Sequence, residues 1–151
     1  MQRLVYVSES KMDEAEVNAS VGQIVTVAQS RNPPLGVTGA LIFTGSHFAQ
    51  VLEGSEQAID ELMSSIYNDE RHQAVWIVHR SAIIERQFSR WAMAYQGPSH
   101  FVSNHVTRLF QPSSETEHQR ATNWLVELAS QFVDPLKVVS RSRPGRTGDR
   151  V

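Results

Sequence analysis

An apolar hairpin in the middle of the chain constrains the fold more than any other stretch. Its two strands are predicted over 37–44 and 47–54, with Gly45 and Ser46 forming a tight turn between them. Gln50 falls in the middle of the second strand, between apolar residues on the same pleat face. Its side-chain amide has four hydrogen-bonding valences and no water to fill them there. The hairpin therefore predicts that a polar group meets Gln50.

The rest of the chain alternates strands and helices. The other predicted strands cover 3–8, 73–84 and 90–96, and the predicted helices cover 10–31, 55–68, 100–110 and 114–132. Ser10 and Asp13 resemble a capping box at the start of the first helix. The order β-α-β-β-α-β-β predicts an α+β fold, a ferredoxin-like sandwich with the two C-terminal helices packed on the far sheet face.

Composition and charge divide the chain into a main domain over 1–97, a helical extension over 98–136 and a tail over 137–151. The tail is basic, rich in Gly, Pro, Ser and Arg, and expected to be disordered. Removing it from the totals leaves nine basic and fifteen acidic residues, a net charge of −6. An acidic body argues against nucleic-acid binding by the folded part.

Several functional classes are disfavoured by what the sequence lacks. There are no cysteines, which excludes disulfides and thiolate metal sites. No stretch approaches the roughly 18 apolar residues of a membrane span, and no signal peptide is evident at the N-terminus. We therefore expect a cytoplasmic protein without a membrane-spanning segment.

Enzyme signatures are also missing. The six histidines form no HxxxH or HExxH pair, so no metal site is expected. Glycine-rich phosphate loops and a GxSxG elbow are absent. Glu53 and His47 lie on one strand and could suggest an acid/base pair, but a solvent-exposed carboxylate at the strand end is the favoured interpretation.

Five short motifs follow one another along the chain. They are Tyr6 within Leu4–Ser8, Asn32 before Gly36–Gly39, Gln50 within Phe48–Gly54, the run Asp69–His72, and Trp91–Met93. In this order they resemble the BLUF family of blue-light receptor domains that bind FAD. None of the motifs is specific alone, and the likeness covers roughly residues 2–97.

The resemblance implies a photochemical role for Tyr6, as donor of an electron and a proton to the excited flavin. It implies that Gln50 bridges Tyr6 to the flavin and rearranges its hydrogen bond after illumination, with Asn32 bonded to the same polar edge of the ring. Ordinary alternatives exist, since Tyr6 could be a core residue and Gln50 an amide satisfied by backbone groups.

Further residues follow from the same resemblance. The remaining cofactor-binding candidates are Ile24, Arg31, Phe48, Arg71 and His72. Arg71 would reach the pyrimidine end of the flavin or the phosphates, although Arg71 and His72 could equally be surface residues of a turn. Ser8, Trp91 and Met93 are candidate relay residues for the light signal, with core packing as the alternative for Trp91 and Met93.

The likeness implies a sensory switch, not an enzyme, that acts on a separate protein. Short family members often form homo-oligomers and act on a cyclic-di-nucleotide phosphodiesterase or a response-regulator-like protein. A flavin-free ferredoxin-like interaction module is the leading alternative. An acylphosphatase-type hydrolase fits less well, because Arg31 and Asn32 are predicted at a helix C-terminus, the wrong dipole end for a phosphate.

Overall fold

A computed structural model describes residues 1–13, 15–97, 100–111 and 114–133 of the chain. The tail predicted to be disordered over 137–151, and the last residues of the predicted helical extension, lie outside the described residues. The elements in chain order are β1 (Gln2–Ser10), α1 (Val17–Arg31), β2 (Thr38–Phe43), β3 (His47–Gly54), α2 (Glu56–Tyr67), β4 (His72–Ala82), β5 (Trp91–Gln96), α3 (His100–Arg108) and α4 (Glu115–Val133). This order confirms the predicted βαββαββ core followed by two helices.

The start of α1 was predicted wrongly. Ser10 is the last residue of β1, where it pairs with His72 of β4. Its hydroxyl accepts from the backbone N–H of Met12 rather than capping a helix. The helix begins at Val17, after Glu16, whose side chain makes no capping hydrogen bond. Strand pairing with a residue 62 positions away has outweighed the local capping signal, which is weak when tertiary contacts compete.

Two other local signals are confirmed. Ser55 caps α2, its hydroxyl accepting from the backbone N–H of Ala58 at 3.2 Å. The hairpin turns at Gly45, where φ is +93°, a conformation that favours glycine. Both signals depend on residues within three positions of one another, and tertiary structure has left them intact.

The five strands form one sheet in the order β4-β1-β3-β2-β5. β1 is antiparallel to both β3 and β4, and β2 is antiparallel to β3. β5 joins the edge of the sheet parallel to β2. In the register of β1 with β3, Tyr6 stands directly opposite Gln50. The neighbouring strands β1 and β3 therefore bring together residues that are 44 positions apart.

Each sheet face carries its own core, because successive strand residues point to opposite faces. We call the face covered by α1 and α2 the near face, and the face covered by α3 and α4 the far face. The near-face core includes Leu4, Tyr6, Val21, Leu41, Phe48, Leu52, Ile59, Leu62 and Trp91. The far-face core includes Val5, Val7, Ile42, Ala49, Val51, Phe88, Val102, Val106, Leu125 and Ala129. The predicted packing of the C-terminal helices on the far face is confirmed.

Candidate cofactor site

A cleft opens on the near face between α1, α2 and the sheet. The space within it is about 720 Å³, including the part that is open to solvent. All eight residues predicted to contact a cofactor line it: Tyr6, Ile24, Arg31, Asn32, Phe48, Gln50, Arg71 and His72. Residues from six different elements and turns thus converge on one cavity.

The floor of the cleft holds a short hydrogen bond between two buried side chains. The Tyr6 hydroxyl donates to Gln50 Oε1 at 2.6 Å. Tyr6 is 2% exposed and Gln50 is 5% exposed. Burial, and then the negative charge of Asp69, raises the pKa of the Tyr6 phenol well above its ordinary value. Tyr6 is therefore a neutral phenol at neutral pH, and its hydroxyl is the hydrogen-bond donor to the Gln50 carbonyl.

Asn32 combines a structural role with an unmet polar group. It caps the C-terminus of α1, and its backbone carbonyl accepts from the N–H groups of Leu35 and Val37. Its side chain is buried, yet Nδ2 has no hydrogen-bond partner. Leaving a buried amide donor unsatisfied costs about 1–3 kcal/mol, so this atom indicates a ligand that supplies an acceptor.

Trp91 adds a second donor of the same kind. It is the first residue of β5 and lines the cleft. Its Nε1 is buried without a partner. Two residues that line the cleft, Asn32 and Trp91, thus each have a buried side-chain donor without a partner. A flavin ring carries carbonyl oxygens and ring nitrogens along one polar edge, so the donor set fits this cofactor.

Two arginines line the cleft beside the end of α2. Arg31 donates to the hydroxyl of Ser65 at 2.7 Å. Arg71 forms a bidentate pair with Asp69, with its closest contact, Nη2 to Oδ2, at 2.6 Å. Burial alone would raise the pKa of Asp69, but hydrogen bonds and the charge of Arg71 outweigh it and hold that pKa below its ordinary value. The hydrogen bonds from Arg71 to Asp69 likewise raise the pKa of Arg71, so both groups stay ionised.

His72 is held by protein groups on both ring nitrogens. Nε2 lies 2.9 Å from the backbone carbonyl of Ile66, which only accepts, so Nε2 carries a hydrogen. Nδ1 lies 2.9 Å from the hydroxyl of Ser8, which donates to it when the ring is neutral. Burial lowers the pKa of His72, and the charge of Asp69 offsets this only in part. His72 therefore forms a neutral aromatic wall of the cleft.

The predicted relay residues occupy three different positions. Trp91 lines the cleft, and Met93 packs against the near-face core two residues further along β5 without lining it. Ser8 is fully buried, is not among the described residues that line the cleft, and is hydrogen-bonded to the lining residue His72. Trp91 is thus the relay candidate in contact with the cavity.

Sequence reasoning did not select several cleft residues. Among the described residues these include Ala28, Leu41, Leu62, Ser65, Ile66 and Asp69. Leu62 and Ile66 lie on the apolar stripe of α2, and that stripe was the available signal. Asp69 stood in a quoted motif, but nothing in the sequence indicated that its carboxylate would orient Arg71.

Glu53 was expected to be exposed to solvent, and this was wrong. The side chain is fully buried, and Arg3 donates to its Oε1 at 2.9 and 2.7 Å. His47 begins β3 and Glu53 lies near its end, about 20 Å away in an extended strand. An acid/base pair between these residues is therefore excluded. Across the described residues, no cluster of three or more His, Asp or Glu side chains could hold a metal ion.

A family model described as sensors of blue-light using FAD, or BLUF, matches residues 1–94. The chain belongs to the BLUF family. BLUF domains are sensory modules that use a flavin, in agreement with the cleft and its donor groups. In the part of the chain that the structure describes, no helix is long and apolar enough to cross a membrane.

Solved BLUF structures share this fold. BlrB, a BLUF protein solved in its dark state, superposes with a TM-score of 0.68 at 29% identity, covering 85% of this chain and 94% of that one. BlrP1 of Klebsiella pneumoniae, solved as a calcium and cyclic di-GMP complex, gives a TM-score of 0.61 at 29% identity over 85% of this chain and 34% of its own.

Curated BLUF relatives include much longer proteins. The alpha subunit of the photoactivated adenylate cyclase of Euglena gracilis is 26% identical over 132 residues, which is 87% of this chain and 12% of the relative. The blue light- and temperature-regulated antirepressor BluF of Escherichia coli (strain K12) is 39% identical over 69 residues, 46% of this chain and 17% of its own length. The chain thus corresponds to a small part of each of these relatives.

Proposed function

We propose that this chain binds FAD in the near-face cleft and uses Tyr6 and Gln50 as the switch of a blue-light sensor. The observation that carries the proposal is the 2.6 Å hydrogen bond from the Tyr6 hydroxyl to Gln50 Oε1, on the floor of a cleft that is also lined by Asn32, whose buried Nδ2 has no partner. The site combines the oxidisable phenol of Tyr6, the reorientable amide of Gln50 and the unpaired donor of Asn32. This combination suits a redox-active ligand that has hydrogen-bond acceptors along one edge.

The cleft residues divide the binding between them. Gln50 and Asn32 would hold the polar edge of the flavin ring, with Ile24 and Phe48 as apolar contacts. Arg71, whose charge is paired with that of Asp69, would reach the pyrimidine end or the phosphates, and Arg31 would flank the flavin. FAD is proposed over FMN from the description of the family; FMN appears with one BlrP1 structure, so cofactor identity is part of the test below.

When bound, the flavin supplies blue-light absorption and, once excited, a strong demand for an electron. Tyr6 would be the donor of that electron, and its proton would pass along the 2.6 Å hydrogen bond to Gln50 Oε1. Because the pKa of Tyr6 is raised, losing the proton without oxidation is disfavoured, so electron and proton would leave together. Both would then return to Tyr6, the proton from Gln50, and the Gln50 amide, left rotated or tautomerised, would present a different hydrogen-bonding group to the cleft.

The signal leaves through β5 on this proposal. Trp91 lines the cleft and Met93 follows it on the near face. α4 packs against β5 and β2 from the far face. A displacement of β5 therefore reaches the buried side chains of α4, among them Leu125. A partner protein can sense a small change at one amide only if that change shifts a packed element of the fold from one discrete arrangement to another.

The receiver of the signal is proposed to be another protein, contacted in trans, and the sensor itself to be a homo-oligomer. BLUF domains occur joined to effectors, as the names of the photoactivated cyclases record. A phosphodiesterase acting on a cyclic dinucleotide or a response-regulator-like protein is the proposed partner class, on the model of family members alone.

The decisive experiment is cofactor loading followed by illumination. The protein is purified, reconstituted with FAD or FMN in parallel, and its extracted cofactor identified by mass spectrometry. We expect a yellow protein that retains FAD and shows a small reversible red shift under blue light without bleaching. Failure to take up either flavin would refute the function and favour the alternative of a flavin-free interaction module.

A further inference from the structure

The carboxylate of Glu53 is an unusual group to find at the end of a strand, because it is completely buried. Its side chain has no exposed surface, while that of its partner Arg3 is 20% exposed. Nε and Nη2 of Arg3 both donate to Oε1, at 2.9 and 2.7 Å. A buried charge is strongly destabilising unless it is paired and hydrogen-bonded, so the arrangement around Glu53 is tightly defined.

The second carboxylate oxygen binds backbone instead of a side chain. Oε2 accepts from the N–H groups of Gln87 and Phe88, at 2.9 and 3.0 Å. Both residues belong to the connection between β4 and β5, over 83–90. Glu53 therefore ties this connection to the end of β3, through two charge-assisted hydrogen bonds.

The connection also reaches back toward the sheet through Arg86. Its Nη1 donates to Thr38 Oγ1 and to the carbonyl of Glu53, both at 2.8 Å, and its Nη2 donates to the carbonyl of Gly36 at 2.7 Å. We call this set, Glu53 with Arg3 and Arg86 with its acceptors, the β5 clamp. The clamp holds the 83–90 connection both to the end of β3 and to the start of β2.

Trp91, the first residue of β5, lies only three residues after Phe88, whose backbone N–H donates to Glu53. Phe88 is itself 2% exposed in the far-face core. The carbonyl of Arg90 accepts from the N–H of Gly39, which starts the pairing of β5 with β2. Further along, the pairing register shifts between Leu41 and the next residue of β2. The start of β5 is therefore fixed by the clamp, and its continuation is interrupted by an irregularity.

We propose that Glu53 is a positioning residue for Trp91 and, through it, for the light response. By fixing the backbone at 87–88, the Glu53 carboxylate holds Trp91 in the lining of the cleft, where its buried Nε1 has no hydrogen-bond partner. Glu53 touches neither the cleft nor the cofactor site. The consequence for light sensing rests on the proposed function, but the positioning of Trp91 does not.

The variant Glu53→Gln tests the proposal because it keeps the shape and removes half of the acceptors. One amide end becomes a donor and faces either Arg3 or the two backbone N–H groups. The matched control is Asp60→Asn, which breaks an exposed carboxylate–arginine pair with Arg80 at 2.7 Å. Arg86→Met weakens the other half of the clamp and serves if Glu53→Gln fails to fold.

Two readouts are independent of flavin. Hydrogen exchange at residues 87–96 is expected to be at least about tenfold faster in Glu53→Gln than in Asp60→Asn. Acrylamide quenching, in a background where Trp76→Phe and Trp124→Phe leave Trp91 as the sole tryptophan, is expected to rise. Exchange and quenching equal to the control in both clamp variants would overturn the proposal.

A third readout separates positioning from simple loss of stability. With flavin bound, Glu53→Gln is expected to change the rate at which the red-shifted state returns to the dark state, and Trp91→Phe is expected to remove most of that effect in the double variant. If Glu53 had a purely structural role, Glu53→Gln would change the recovery rate by the same factor whether residue 91 is Trp or Phe. That result would contradict the proposal. If no flavin binds, the proposed function fails while the first two readouts still decide the position of Trp91.

Discussion

Tyr6 and Gln50 stand directly opposite each other on the neighbouring strands β1 and β3 and share a buried hydrogen bond of 2.6 Å. The pairing register fixes their backbones, so the phenol reaches the amide without help from a loop. In the proposed function, strands of fixed register keep the two backbones in place during each cycle, and the Gln50 amide is the group that rearranges.

Tyr6→Phe should keep the fold and the flavin but block photoproduct formation, because phenylalanine has neither an accessible oxidation nor a proton to give. The matched control is Tyr67→Phe, at an exposed tyrosine on α2. Transient absorption after a blue flash measures the yield. A wild-type yield in Tyr6→Phe would assign the donor role to another residue, with Trp91 the first to examine.

Gln50→Leu should retain the flavin and abolish the red shift, because no amide remains to re-pair with the cofactor. The exposed Gln57→Leu on α2 is the control. The measurement is a dark-minus-light difference spectrum under continuous illumination. If Gln50→Leu gave the normal shift, Gln50 would have no part in the switch.

Asn32→Ala should weaken flavin binding by about 5- to 150-fold, corresponding to the ~1–3 kcal/mol of an unmet buried polar group. Asn68→Ala is a close control, since Asn68 caps the C-terminus of α2 as Asn32 caps that of α1 but is exposed. Flavin titration of the apoprotein gives both affinities. Equal affinities for the two variants would place Asn32 outside the binding contacts.

Met93→Ala should leave the red shift largely intact while weakening any light-dependent change in assembly or partner binding. The truncation costs about 2 kcal/mol, at the low end for methionine because Met93 is only partly buried. Met12→Ala, which packs against the same core away from β5, is the control. Hydrogen exchange over 88–132, dark against light, reads the response, and unchanged protection with binding still light-dependent would exclude this route.

Folded-state stability should fall as pH drops below about 6.5, the ordinary value for histidine, in part because of His72. Its pKa is lowered by burial, so the unfolded chain binds the proton more readily and protonation favours unfolding. His72→Gln should flatten the dependence of Tm on pH between about pH 5 and 8. Equal slopes for wild type and His72→Gln would assign the loss to other groups.

The sequence by itself determined the elements and the sheet faces. Alternation in β1 places Leu4 and Tyr6 on one face and Val5 and Val7 on the other, and that pattern needs no knowledge of partners. The helix cap at Ser55 likewise depends only on residues that are close in the sequence. The family resemblance then selected eight residues, and all of them line one cleft.

Tertiary structure decided the features that join distant segments. Ser10 belongs to β1 because it pairs with β4, and Glu53 is buried because Arg3 and the 83–90 connection close over it. The local sequence carries no information on which distant segment will lie beside the end of a strand. A carboxylate at that position is therefore predicted to be exposed to solvent. Capping and alternation act over two to four residues, whereas burial of a charge is set by partners 34 to 50 positions away.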